Sequence, residues 1–223
     1  MGSDIFVVTL DGPAGVGKTT LARGVAAYFG VAYLDTGAMY RCVAWTLGDR
    51  SWEWSGEKLT AALDTLTFAM RGTGAETRLL LNNKEIGEVI RTETVGLWAS
   101  HVARLPQVRA YLTTVQQSLG QRVPLVAEGR DMGTVVFPDA AYKFFLDASP
   151  AVRAQRRWLQ LKNAGMDEDL QALTEQMRVR DEQDRNRALA PLRPAKDALV
   201  IDTGSLTLTG VQQKIISVVE RRC

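Results

Sequence analysis

The sequence predicts an α/β fold: a doubly wound, five-stranded parallel sheet with helices on both faces, a small antiparallel β insert and a helical lid. Three observations predict it. Residues 5–10 are an apolar, β-branched run of strand length that passes through a glycine-rich turn into a helical pattern. Similar short apolar runs recur near 31–34, 124–128, 142–146 and 198–202, with helical patterns between them. Between Leu66 and Ile90 the period changes to alternation. The 223 residues suffice for one domain with a sizeable core. The division expected is a core of 1–35, 105–148 and 190–223, a part with the β insert at 36–104, and a lid at 149–189.

The glycine-rich turn is Asp11-Gly12-Pro13-Ala14-Gly15-Val16-Gly17-Lys18-Thr19-Thr20, which reads G-x-x-x-x-G-K-T. Strand, loop and helix in this order are the context that a phosphate-binding loop (P-loop) needs. Gly12, Gly15 and Gly17 let the main chain curl until successive N–H groups face an anion, and the positive end of the helix adds to that field. Lys18 is expected to reach the β- and γ-phosphates, and the Thr19 hydroxyl to bind Mg²⁺. The chain is therefore expected to bind a nucleoside triphosphate.

Gly30 ends the first helix, and 31–34 is a short buried strand. Asp35 or Thr36 can cap the helix that carries Tyr40 and Arg41. Trp45, Trp52 and Trp54 surround a loop and read as local packing. Residues 57–66 form a short helix. Leu66, Phe68 and Met70 alternate, Arg71-Gly72-Thr73-Gly74 breaks the run, and Asn82-Asn83 is a two-residue turn pair. Residues 92–104 are helical, and Pro106 begins another helix that carries Arg109. His101, the only histidine, is assigned no role.

Residues 124–127 form a buried strand that ends in Glu128-Gly129-Arg130-Asp131. Acidic groups at the carboxyl end of such a strand lie where open α/β sheets place their active sites. Residues 142–146 are another buried strand. Ser149-Pro150 starts a helix that places Arg153, Arg156 and Arg157 on one side. A second helix begins near Asp167 or Asp169, and Arg180, Asp184 and Arg187 share one of its faces. Mixed-charge helices are usually solvated surface. Here arginine forks are also what a phosphoryl-transfer site recruits from a closing lid. Residues 198–202 are a last buried strand and 209–222 a last amphipathic helix.

The formal net charge of +2 gives no basic field for nucleic acid. Cys42 and Cys223 have no metal-ligand spacing and fit a reducing compartment. No apolar run approaches transmembrane length, and no signal peptide is evident. A cytoplasmic monomer without nucleic-acid or membrane partners is expected.

Four stretches together resemble bacterial cytidylate kinases over nearly the whole chain. They are the phosphate loop, Leu34-Asp35-Thr36-Gly37-Ala38-Met39-Tyr40-Arg41, Glu128-Gly129-Arg130-Asp131-Met132-Gly133-Thr134-Val135-Val136-Phe137-Pro138, and Arg180-Asp181-Glu182-Gln183-Asp184-Arg185-Asn186-Arg187. The second half of this set is specific to that family, whereas the phosphate loop alone is not. The resemblance implies transfer of the γ-phosphoryl group of ATP to CMP or dCMP, with Mg²⁺. The ATP site would be residues 12–20, that is Gly12, Pro13, Ala14, Gly15, Val16, Gly17, Lys18, Thr19 and Thr20, with Arg156. The acceptor site implied comprises Thr36, Tyr40, Arg41, Ser100, Arg109, Arg130, Asp131, Arg180, Asp184 and Arg187. Within it, Arg109, Asp131 and Arg187 would meet the base, Ser100, Arg180 and Asp184 the sugar, and Arg41 the phosphate. Lys18, Arg130, Arg153 and Arg157 would be catalytic, with Arg130 and the lid arginines facing phosphates or the ATP base. Thr19 would hold the metal, with Glu128 through water. Thr36 stands where serine is common and Glu128 where aspartate is common. The acceptor phosphate is largely dianionic near pH 7, because its second pKa is about 6, so no side-chain base is needed.

The alternatives are a kinase for AMP, UMP or shikimate, and a nucleotide-binding switch. The switch wants an N-K-x-D motif, and Asn83-Lys84-Glu85-Ile86 lacks the aspartate. A nucleic-acid-binding ATPase is a further option that the near-neutral charge disfavours.

Overall fold

In the computed structural model the described residues are 5–221. The strands are β1 (Val7–Asp11), β2 (Ala32–Asp35), β3 (Phe68–Arg71), β4 (Arg78–Leu81), β5 (Lys84–Glu85), β6 (Leu125–Gly129), β7 (Tyr142–Asp147) and β8 (Leu199–Asp202). The α-helices are α1 (Lys18–Phe29), α2 (Thr36–Leu47), α3 (Gly56–Leu63), α4 (Glu93–Val102), α5 (Pro106–Gly120), α6 (Pro150–Asn163), α7 (Leu170–Asn186) and α8 (Leu208–Glu220).

The large sheet has the order β2-β6-β1-β7-β8, and every neighbouring pair is parallel. β1 leaves through α1 to β2, and β6 later fills the gap between them. This switch brings three strand ends together, with Asp11 paired to Gly129 and Asp35 to Glu128. Ligands of open α/β sheets bind at such a place. One apolar layer holds Leu34, Met39, Val43, Leu112, Leu125 and Ala127. The opposite layer holds Val8, Leu10, Leu21, Val25, Phe144, Leu146 and Ile215. With both faces covered, β1, β6 and β7 read as continuous apolar runs.

Local chemistry sets the boundaries. Gly30 takes a left-handed φ of 63° to end α1. Asp35, not Thr36, caps α2, accepting from the Ala38 N–H at 2.8 Å. Ser149 caps α6, with Pro150 in its first turn. Asp169 caps α7. The small sheet β3-β4-β5 is antiparallel. Its Asn82-Asn83 turn has φ of 49° and 63°, the double left-handed geometry of a tight hairpin. Trp52 packs on the core and stacks on His101 with ring centroids 4.4 Å apart, which gives that histidine a packing role.

Two expectations need correction. Residues 198–202 are not a buried strand: β8 lies at the sheet edge, where Val200 is 53% exposed and only Ile201 is buried. The last helix ends at Glu220, and Arg222 and Cys223 lie outside the described residues, as do residues 1–4. The sequence carried no expectation for the single π-helical turn at Met132–Val136, directly after Asp131. Cys42 is buried, and burial pushes its thiol up to about 12. Among the described residues no helix is long and apolar enough to cross a membrane.

Candidate active site

The loop between β1 and α1 turns on Gly12, Gly15 and Gly17, with φ of 149°, 76° and 96°. A Cβ on Gly12 would fall 2.2 Å from the Leu146 carbonyl oxygen, so strand contact forbids a side chain there. Among the described residues no group accepts from the N–H groups of Gly15, Val16, Gly17 or Lys18. These are the orphan donors of a helix start, available to an anion. Lys18 is buried, and its Nζ donates to the carbonyls of Gly12 at 2.8 Å and Pro13 at 2.6 Å. Burial and the charge of Arg130 push its pKa well below 10.5, against the pull of Glu128 and Asp11.

Beside Lys18 stands Glu128, at the end of β6. Its carboxylate accepts from the Tyr33 hydroxyl, and the Thr19 hydroxyl lies close enough to lower its pKa. Burial and Asp35 raise its pKa, while Lys18 and the two hydroxyls lower it. The Thr19 hydroxyl and the Glu128 carboxylate are hard oxygen donors flanking the phosphate loop. They suit Mg²⁺, which takes one or two protein oxygens and completes its shell with phosphate and water.

The acceptor side is assembled from four elements. Asp131 is buried and accepts from Arg109 of α5 and, at 3.3 Å, from Arg187 beyond α7. Burial raises the Asp131 pKa, and the arginines oppose that. The Arg109 guanidinium lies 5.8 Å from the Tyr40 ring centroid, and burial pushes the Tyr40 phenol up to about 12. Asp184 accepts from Arg130 Nε at 2.8 Å. Burial would raise the Asp184 pKa, but the charge and hydrogen bond of Arg130 bring it below 3.8. Arg180 lies within electrostatic reach of Arg130, Asp184 and Arg41. Among the described residues, neither Arg41 nor Arg180 has an ion-pair or hydrogen-bond partner.

Other expected residues sit differently. Thr36 is buried and its hydroxyl donates to the Glu128 carbonyl at 2.6 Å, leaving only its lone pairs for a ligand. Ser100 bonds back to the Gly96 carbonyl at 3.1 Å. The three α6 arginines do not act as one group. Arg153 has no exposed surface, and its guanidinium is taken by Ala148, Ala14 and Asp181. Arg156 donates to the Thr203 carbonyl at 2.6 Å and hydroxyl at 3.2 Å, near the loop residue Val16. Arg157 reaches Glu93 of α4 at 3.1 Å.

Three site residues carried no sequence expectation. Asp11 accepts from the N–H groups of Met132 and Gly133, both at 2.8 Å, and so anchors the turn after Asp131. Tyr33 holds Glu128. Asp181 holds Arg153. Asp181 stood inside a motif already singled out, so its signal was present. A buried tyrosine in a strand carries no such signal.

The site thus brings together a loop of unbonded N–H groups, the Thr19 hydroxyl and Glu128 carboxylate, the guanidiniums of Arg41, Arg130 and Arg180, and a buried carboxylate flanked by guanidiniums. The comparisons agree with it. The family profile described as "Cytidylate kinase" matches residues 8–221. A cytidylate kinase of Nitratidesulfovibrio vulgaris is 58% identical over 92% of this chain and 88% of its own length. One from Maridesulfovibrio salexigens is 51% identical over 97% of each chain. A crystal structure of an uncharacterised Eubacterium ventriosum protein shares the fold, with a TM-score of 0.50 at 10% identity, covering 98% of this chain and 100% of that one. With the profile spanning nearly every described residue and relatives above half identity over almost the full length, the chain belongs to the cytidylate kinase family.

Proposed function

We infer that the chain transfers the γ-phosphoryl group of ATP to CMP or dCMP, giving ADP and CDP or dCDP, as a cytoplasmic monomer with Mg²⁺. One observation carries the acceptor: the buried Asp131 carboxylate between Arg109 and Arg187. Cytosine presents an amino donor at position 4 and acceptors at N3 and O2. A carboxylate accepts from the first, and guanidiniums donate to the others. Uracil offers a carbonyl at position 4 and an N–H at N3, so the same frame meets it with like against like. Each mismatch leaves a buried polar group unpaired, at about 1–3 kcal/mol.

Gly12 to Thr20 would cradle the ATP phosphates, with Lys18 on the β- and γ-phosphates and Arg156 beside the adenine. Arg41, Arg130 and Arg180 would take the acceptor phosphate, whose oxygen is the nucleophile. Asp184, Arg180 and Ser100 would hold the sugar, with Thr36 and Tyr40 lining the seat. Arg157 would reach the phosphates once Glu93 releases it. Thr19 and Glu128 would hold Mg²⁺, Glu128 through water, and the metal would neutralise charge on the phosphates. Alignment and charge neutralisation are then the catalysis. Residues 149–189 would close as a lid, over a core and over the acceptor part at 36–104, and exclude water.

The test is kcat/KM with CMP, dCMP, UMP and AMP. CMP should exceed UMP by at least about 10²-fold, since sites built on hydrogen bonds reject the wrong pattern strongly. Asp131→Ala should shrink that ratio by damaging CMP turnover more. Equal losses for the two acceptors would remove Asp131 from base recognition.

A further inference from the structure

A guanidinium without exposed surface is costly unless its donors are satisfied. Arg153 meets that condition by joining three segments. Its Nε donates to the Ala148 carbonyl at 2.9 Å, after β7. Its Nη1 donates to the Ala14 carbonyl at 2.9 Å, in the phosphate loop, and to Asp181 at 3.1 Å, on α7. Its Nη2 closes the fork on the second Asp181 oxygen.

The Ala14 contact bears on anion binding. A trans peptide points its carbonyl and the following N–H in opposite directions, and the described residues contain no cis bond. With the Ala14 oxygen held by Arg153, the Gly15 N–H turns the other way, away from the guanidinium, and among the described residues nothing accepts from it. Gly15, at φ 76°, has no Cβ to limit rotation of that peptide. The buried guanidinium removes the freedom. Asp181 supplies the other end. It follows Arg180 and precedes Asp184 by less than one turn of α7. Met177 of the same helix sits 3.2 Å from the point a Gly15 Cβ would occupy.

We propose that Arg153 and Asp181 are positioning residues for the donor phosphates, fixing the Ala14–Gly15 peptide with its N–H toward the anion and tying that orientation to the helix that carries Arg180 and Asp184. The tie to the acceptor rests on the function inferred above; the donor half does not. The pair touches no substrate itself.

The experiment is calorimetric binding of AMPPNP and of inorganic tripolyphosphate to the full chain, each with and without CMP. Asp181→Asn should weaken AMPPNP and tripolyphosphate by the same factor, about tenfold, the scale of one hydrogen bond to a charged group. It should also shrink the factor by which CMP tightens AMPPNP. Arg153→Lys keeps the charge but cannot span Ala14, Ala148 and Asp181 together; it carries the same expectation and covers the case in which Asp181→Asn fails to fold. A purely structural brace would lower Tm and leave both affinities unchanged, and that result overturns the proposal. A loss for AMPPNP but not for tripolyphosphate overturns it as well, since the effect would then lie at the adenine. Wild-type protein that binds AMPPNP but not CMP would instead sink the acceptor reading, and with it the tie to α7.

Discussion

At the end of β1 a single carboxylate joins the glycine-rich loop to the turn after Asp131. Asp11 lies next to Gly12 and holds the N–H groups of Met132 and Gly133, just past Arg130 and Asp131. Burial is the largest influence on it and raises its pKa from 3.8 to about 6, against the two N–H donors. The native state therefore holds this proton at a pH where the unfolded chain has lost it. Between 3.8 and about 6 the native state binds more protons, so stability falls as pH rises across that window. The full effect is up to about 3 kcal/mol, at 1.36 kcal/mol for each pKa unit. Asp11→Asn has no such slope. Urea unfolding of both proteins at pH 4, 5, 6 and 7 checks this. The stability of wild type minus that of Asp11→Asn should decline from pH 4 to 6 and then level off. A difference that grows over the same range would mean that the N–H bonds to the carboxylate outweigh its burial.

At the scale of elements, β1, the phosphate loop and α1 form one unit whose glycines are not equivalent to glycines elsewhere. The Gly12 Cβ position falls 2.2 Å from a backbone oxygen of β7, which cannot move without parting the central strands. Gly12→Ala should cost at least about 2 kcal/mol, the scale of overpacking a rigid core. Gly96, within α4, has nothing within 4 Å of its Cβ position. Gly96→Ala should stabilise the protein by about 0.5–1 kcal/mol, the helix-propensity difference. Urea midpoints of the two variants read out both signs, and equal effects would refute the contact argument. This contrast also explains what was legible in the sequence. The strand–loop–helix unit, the caps at Asp35 and Ser149 and the Asn82-Asn83 turn declare themselves locally, because each depends on a few adjacent residues. The π-turn at Met132–Val136 depends on Asp11, more than a hundred residues away, so its own sequence does not specify it. The exposed β8 has the apolar composition of a buried strand, and only its place at the sheet edge decides its environment. The expected base and sugar residues came from family resemblance, and the structure pairs Asp131 with Arg109 and Arg187 and Asp184 with Arg130. The α6 arginines share a helix face as spacing requires, yet tertiary partners send them to three different places.

For the whole molecule, the decisive comparison is between what holds α6 and α7 internally and what holds them to the rest. Among the described residues, the small apolar cluster between them buries Ala154, Leu161 and Leu173, supported by Trp158, Leu170 and Met177. Toward the rest of the chain run the hydrogen bonds of Arg153 to Ala14 and Ala148 and of Arg156 to Thr203, and charged bridges from Asp184 to Arg130, from Arg187 to Asp131 and from Arg157 to Glu93. The Arg157–Glu93 pair is open to water, with side chains 41% and 92% exposed, and such pairs contribute about 0–1 kcal/mol. The Asp184–Arg130 pair is only about 20% exposed on each side and holds more firmly. Cohesion of this kind suits a unit that opens locally well below the cost of global unfolding. Bound CMP would place a phosphate among Arg41, Arg130 and Arg180, and bound ATP would fill the loop against which Met177 rests. Each ligand would give α6 and α7 partners on one side only, CMP through Arg130 and Arg180 and ATP through the loop, so ordering should need both. Amide hydrogen exchange over residues 150–186 should therefore slow when CMP and AMPPNP are added together, and much less with either alone. Exchange in β1 and β6, buried on both faces of the sheet, should stay unchanged as an internal control. Equal protection of 150–186 with and without the ligand pair would mark α6 and α7 as a fixed wall of the cleft, and closure would then have to come from residues 36–104.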